Sequence, residues 1–203
     1  MVKKIISDFL DSNVFVVSKG NSCIIVDAGA QVAEVEKEVA GRVVEGIFLT
    51  HGHYDHAVYA LEYAKRFGCK IYCSELSKEY LADGKKNYSE GKFAVRNFSE
   101  FEFLNGEGKI ALQNLEVEFK QLGGHSRGDM VYKIEHNLFV GDLLIGRDIG
   151  RIDLYGGDKQ DMIASLESLQ KEKYSLMFSG HGGENSKETQ DKVTALWLRF
   201  LRR

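Results

Sequence analysis

Residues 50–57 read THGHYDHA, and this stretch decides the fold. It places three of the chain's six histidines, with Asp55, directly after the apolar run GIFL at 46–49. In an extended segment residues i and i+2 share a face, so His51 and His53 can grip one ion; on a helix they would point apart. Asp55 and His56 then turn towards a neighbouring position. Beyond them Ala57, Ala60, Leu61, Ala64 and Phe67 recur at helical intervals until Gly68. The cluster therefore belongs to a strand-to-helix loop.

One loop cannot complete a metal site, because a divalent ion takes about four to six nitrogen or oxygen ligands at roughly 2.0–2.2 Å. Partners stand in matching contexts downstream: His125 in GGHSRGD, Asp142 in FVGDLL and His181 in FSGHGG, each following an apolar strand. The sixth histidine, His136, sits in EHN and reads as a turn between strands with no ligand role.

Outward from these motifs the pattern alternates strand and helix. NVFVVS and SCIIV form a hairpin across KGN, and QVAEVEKEVAG is a helix stopped at Gly41. KIYCS is a strand, and the polar ELSKEYLADGKKNYSEGKFAV is a helix-like insertion bordering the site. LEVEFKQLGG, MVYKIEH, NLFVGDLL and SLMFSG are strands, with helices over 158–170 and 187–203. Paired strands with helices outside imply an α/β architecture, a four-layer α/β/β/α sandwich of two similar halves, within a single domain over 1–203. In the C-terminal TALWLRFLRR, Leu196, Trp197, Leu198, Phe200 and Leu201 are expected to pack on the core.

Composition limits the partners. A net charge of -3 gives no electrostatic pull towards nucleic acid or an anionic membrane, and no apolar run approaches the roughly 20 residues of a membrane span. The expectation is a soluble cytoplasmic protein with a small-molecule substrate; oligomeric state is not legible. The odd cysteine count, Cys23, Cys69 and Cys73, matches neither a zinc pair nor a disulfide framework, so these read as buried thiols.

With these residues in place, the chain resembles the metallo-β-lactamase-fold superfamily, nearest to short glyoxalase II-like (hydroxyacylglutathione hydrolase-like) enzymes, from NVFVVSKGNSCIIVDAG to the final SGHGG. The resemblance implies two divalent ions, first zinc and otherwise iron or manganese. It places His51, His53 and His125 on one metal, Asp55, His56 and His181 on the other, and Asp142 as the bridge. The activity implied is hydrolysis, chiefly of thioesters, by a metal-bridging hydroxide that Asp55 orients and deprotonates. GRIDLYGGD at 150–158 is similar to the segment after the bridging aspartate in glyoxalase II-like enzymes and persulfide dioxygenases. There Arg151 is expected near the mouth, facing a substrate carboxylate, or else pairing with Asp153 to shape the loop. Asp153 and Gly183 stand where long glutathione thioesterases carry tyrosines, which weakens the expectation of glutathione recognition. Two rivals follow from the same motifs: a mononuclear iron persulfide dioxygenase using His51 or His53, His125 and Asp142, and a metal-binding protein with little activity.

The chain contains no proline, where average usage of about 5% would give roughly ten. That points to removal by design or selection. Gly123, Tyr155 and Ser179 occupy positions that are commonly proline in the family resembled. Each such loss enlarges the unfolded ensemble, at about 0.4–1 kcal/mol per compatible site, and the expected ligands are untouched.

Overall fold

The computed structural model describes residues 1–203. Its first half is a six-stranded sheet in chain order: β1 (Val2–Ile6), β2 (Asn13–Lys19), β3 (Ser22–Val26), β4 (Val43–Phe48), β5 (Ile71–Ser74) and β6 (Phe101–Leu104). β2 and β3 form the expected hairpin, Lys19 facing Ser22, with the tight turn opened by left-handed Gly20. From β3 onward the pairing is parallel, which demands crossovers. Helix α1 (Val32–Val39) connects β3 to β4; α2 (Tyr54–Ala57) and α3 (Ala60–Phe67) connect β4 to β5. The insertion before β6 holds a 3₁₀ turn (Glu75–Ser77) and α4 (Lys78–Ala82), then irregular chain.

The second half forms another six-stranded sheet from β7 (Glu107–Ala111), β8 (Glu116–Gln121), β9 (Met130–Ile134), β10 (Asn137–Gly141), β13 (Leu176–Ser179) and β14 (Asn185–Ser186), with a small β11 (Leu144–Ile145) and β12 (Asp148–Ile149) hairpin. Helix α5 (Lys159–Lys171) starts where Asp158 accepts hydrogen bonds from the Gln160 and Asp161 amides. Helix α6 (Lys187–Leu201) is capped the same way by Ser186.

Side-chain alternation sets the layers. In β2, Val14 and Val16 face α1 and α3, whereas Phe15 and Val17 face the second sheet. In β9 and β10, Met130, Tyr132 and Phe139 point inward, while Val131, Leu138 and Val140 meet α5 and α6. Phe15 packs edge-on against both Phe139 and Phe178 at 5.3 Å, locking sheet to sheet. Each such buried side chain contributes about 1.5–3 kcal/mol against the entropy of ordering. The α/β/β/α order is the one expected.

Local departures have local causes. The helix expected through Ala57 to Phe67 breaks at Val58–Tyr59, and Leu61 is 36% exposed rather than core-facing. The stop of α1 falls on Ala40, which itself takes the left-handed position before Gly41. The insertion is helical only to Ala82. In α6, Leu198 and Leu201 reach the core beside α5, but Leu196 and Phe200 are 66% and 63% exposed, because the buried stripe of an outer helix spans only one face. Cys23, Cys69 and Cys73 are free thiols packed on the same core as α1 and α3, and His136 lies exposed in the β9–β10 turn.

Candidate metal centre

Strand ends from both sheets meet at one edge. His51 and His53 leave β4, and Asp55 and His56 lie in the short helix α2. His125 follows β8, Asp142 follows β10 and His181 follows β13. All seven expected residues converge there. One ligand atom from each of His51, His53 and His125 lies within 4.8 Å of the others; the same holds for His51, His56 and Asp142, and for Asp55, His56 and His181.

The distances describe donors aimed at shared points. His125 Nε2 is 3.0 Å from His53 Nδ1, and His56 Nε2 is 3.3 Å from His181 Nε2. Asp55 Oδ2 lies 3.3 Å from His56 Nε2 and 3.4 Å from His181 Nε2. The Asp142 carboxylate spans both groups, with Oδ2 3.4 Å from His181 Nε2 and 3.7 Å from His125 Nε2. A Cβ on Gly180 would overlap Asp142 Oδ1 and stand 2.8 Å from His56 Cε1, so only glycine lets β13's end approach the ligands.

A second ring of hydrogen bonds fixes which ring nitrogen is free. Thr50 Oγ1 donates to Asp27, so it accepts from His51 Nδ1 at 3.1 Å and leaves His51 Nε2 as the lone pair. Asp27 Oδ2 accepts from His56 Nδ1 at 3.0 Å, and the Arg151 carbonyl accepts from His125 Nδ1 at 2.9 Å. Asp27 holds this place in a left-handed conformation (φ 62), at a cost of the order of 1 kcal/mol. Ser12 Oγ donates to the Asp55 carbonyl, anchoring α2 from the opposite strand edge. The Asp129 carboxylate accepts from the His125 and Ser126 amides and sets the His125 loop; burial pushes it up to about 6. Asp27, Thr50, Ser12 and Asp129 escaped the sequence reading, although VDAG repeats the carboxylate-after-strand pattern of FVGD.

Electrostatics oppose a neutral, dry cluster. Burial and the neighbouring imidazoles hold His51 well below its usual range, and burial with His125 takes His53 down to about 3. Burial disfavours charge on His56 and His181, yet the facing carboxylates outweigh it: His56 is raised well above normal and His181 to about 9. Burial likewise works against ionised Asp55 and Asp142, but the same histidines keep both low, Asp142 at about 2. The pocket thus has neutral imidazoles on one side and carboxylates demanding positive charge on the other. His51 Nε2 and Asp142 Oδ1 are buried without any hydrogen-bond partner. Such orphaned atoms are costly, and an ion ligated by nitrogen and oxygen donors satisfies them. The donor set fits divalent cations.

The cluster opens into a cleft of about 290 Å³ walled by Leu10, Tyr54, Tyr88, Ile145, Leu154 and Arg151. The Arg151 guanidinium lies at this mouth, paired through both nitrogens with Asp153 at 2.9 and 2.7 Å. The two sequence readings of Arg151 therefore coexist in position. A larger groove of about 380 Å³ on β7–β9 beside α5 shares no residue with the cluster, and its lysines lie against glutamates.

Comparison with known proteins agrees with this geometry. Residues 7–181 match the sequence model of the metallo-beta-lactamase superfamily. The chain is similar to a probable metallo-hydrolase, YqgX, of Bacillus subtilis (strain 168), 26% identical over 189 residues that cover 89% of this chain and 90% of that protein. It is 31% identical over 145 residues to the hydroxyacylglutathione hydrolase GloC of Haemophilus influenzae, covering 67% of this chain and 68% of GloC. Among solved structures, the BLEG-1 B3 metallo-beta-lactamase superposes with a TM-score of 0.85 at 25% identity, over 95% of this chain and 97% of that one.

Proposed function

This chain belongs to the metallo-beta-lactamase superfamily of metal-dependent hydrolases, and on that footing we propose that it is a dinuclear hydrolase of thioesters. The observation that carries the dinuclear reading is the second triad, Asp55, His56 and His181, standing beside the first with Asp142 facing both. A mononuclear iron dioxygenase would leave that triad without a purpose. The thioester preference is supported by the similarity to GloC.

His51, His53 and His125 would hold one ion, Asp55, His56 and His181 the other, and Asp142 would bridge. Zinc suits this mixed imidazole and carboxylate set first, with iron or manganese as alternatives. When bound, the ions supply Lewis acidity that polarises a carbonyl and acidifies water. Asp55 presents Oδ2 to His56 and His181, and its other oxygen is the proton acceptor for the attacking water. Asp27 and Thr50 hold the His51 and His56 rings in the ligating tautomer. Leu10, Tyr54 and Leu154 shield the reacting acyl group from bulk water. Arg151 at the mouth meets a substrate carboxylate by exchanging it for Asp153. The substrate is a small molecule, and no helix is long and apolar enough to cross a membrane.

The test is metal analysis of the isolated protein followed by a panel of S-lactoylglutathione, simpler thioesters, a lactone, a phosphodiester and a β-lactam. Two ions per chain and fastest turnover of thioesters are expected. One iron per chain with oxygen uptake on glutathione persulfide would replace this reading with the dioxygenase. Two ions without turnover of any ester would leave a metal-binding protein.

A further inference from the structure

Tyr88 stands in the cleft wall with its ring 5.3 Å from that of His53, nearly perpendicular to it. Its backbone is left-handed (φ 63), as are those of Glu90 and Gly91 nearby, and a bulky residue holds that conformation only where its surroundings enforce it. The enforcement is visible. The Asn87 side chain, fully buried, donates to the carbonyls of Tyr80 and Phe93 and accepts from the Ser89 amide. The Asn87 carbonyl accepts from the Tyr54 amide at the start of α2, at 3.0 Å. This loop is thus tied to the helix that carries Asp55 and His56, with Tyr88 directed into the cleft.

The hydroxyl is held as well. The Tyr155 amide donates to Tyr88 Oη at 2.5 Å, while the Tyr155 carbonyl accepts from Tyr80 Oη at 3.2 Å. Because Tyr88 Oη acts as the acceptor in that bond, its own proton remains available, and it meets no acceptor within the protein. Tyr155 occupies the second position of a turn in which the Gly157 amide donates to the Leu154 carbonyl and Gly156 has φ 76. That is a type II turn, whose second position also accommodates proline. Proline has no N–H, so the latch exists only because this position keeps its amide.

We propose that Tyr88 is a specificity-determining residue: its hydroxyl, oriented by the Tyr155 amide, donates a hydrogen bond to a hydroxyl or carbonyl oxygen on the acyl chain of the substrate. Leu10, Ile145 and Leu154 offer that chain only apolar surface, so an acyl group bearing an oxygen is selected over a plain alkyl one. The assignment rests on the thioester reading above. Tyr155 is a positioning residue.

The test uses the metal-loaded full chain and N-acetylcysteamine thioesters with a common leaving group: lactoyl and 3-hydroxybutyryl against propionyl and butyryl. The wild type should prefer the oxygen-bearing acyl groups. In Tyr88→Phe that preference in kcat/KM should shrink about tenfold, chiefly through KM, as for loss of one hydrogen bond to substrate. Tyr155→Pro, which keeps the turn but removes the amide donor together with the side chain that meets Glu79 and Tyr80, should shrink it several-fold, whereas Tyr155→Ala, which loses the same side chain and keeps the amide, retains it. A wild type without preference, or equal losses on both acyl classes in Tyr88→Phe, would overturn the proposal. If no thioester is hydrolysed at all, the thioester reading fails and Tyr88 is judged separately by calorimetric binding of lactate and propionate. Lactate preference lost in Tyr88→Phe upholds its role, and equal binding by the wild type refutes it.

Discussion

The floor and the rim of the cleft are built on opposite principles. The floor consists of seven buried or nearly buried donors, of which His51, His56 and His125 have their outer nitrogens pinned by Thr50, Asp27 and the Arg151 carbonyl, and Asp55 has its carbonyl pinned by Ser12. The rim consists of exposed or half-exposed groups, Arg151 with Asp153 and Tyr88 with Tyr155, that pin one another. Without metal, protonated His56 and His181 pair with the Asp55 and Asp142 carboxylates, so divalent cations must displace those protons, whereas charge at the rim is paired between Arg151 and Asp153. On the proposed function, the floor carries the reaction and the rim selects what enters.

Substitutions can break that division. Asp55→Ala should lower turnover by roughly 10²–10⁴-fold, the range for loss of a general base, with an unchanged circular dichroism spectrum; unaltered turnover would remove Asp55 from the mechanism. Asp27→Asn touches no expected metal directly, yet it should weaken metal affinity about 10–100-fold through the His56 ring, read by chelator competition.

A third expectation concerns protons. In the metal-free protein His181 is raised from 6.5 to about 9 by Asp142 and Asp55, which overcome burial. A raised imidazole stabilises the fold fully below 6.5, and that contribution disappears as pH rises through about 9. The melting temperature of the metal-free protein should therefore decline over that window. Metal affinity should move the opposite way, about tenfold per pH unit for each proton displaced. Parallel trends in both would mean that His181 does not exchange its proton for metal. Smallest of all is Arg151→Ala, because its pair is exposed and screened by solvent. KM for carboxylate-bearing substrates should rise less than about tenfold with kcat retained.

The same contrast explains what the amino-acid sequence discloses. The floor was legible because THGHYDHA, GGHS, VGD and SGHG put rare ligand types at strand ends, where geometry leaves few alternatives. The hairpin at Gly20 and the helix after Asp158 were legible from turn and cap chemistry. Strands β1 and β7 were missed because VKKII and EGKIA are half-exposed edge strands with too few apolar residues to show a period of two. Asp27 was missed because one carboxylate after a strand is ordinary until His56 is found beside it. Tyr88 was missed for a deeper reason: its position depends on Asn87, Ser89 and an amide 67 residues away, and nothing local announces such a bond.

Metal content tests the central claim most directly. Elemental analysis of the purified chain, beside His51→Ala and His181→Ala, should give two divalent ions per wild-type molecule and one in His181→Ala, with His51→Ala losing the ion shared with His53 and His125. A wild type that binds a single ion, or a His181→Ala variant that still binds two, would contradict a dinuclear centre assembled from these seven residues.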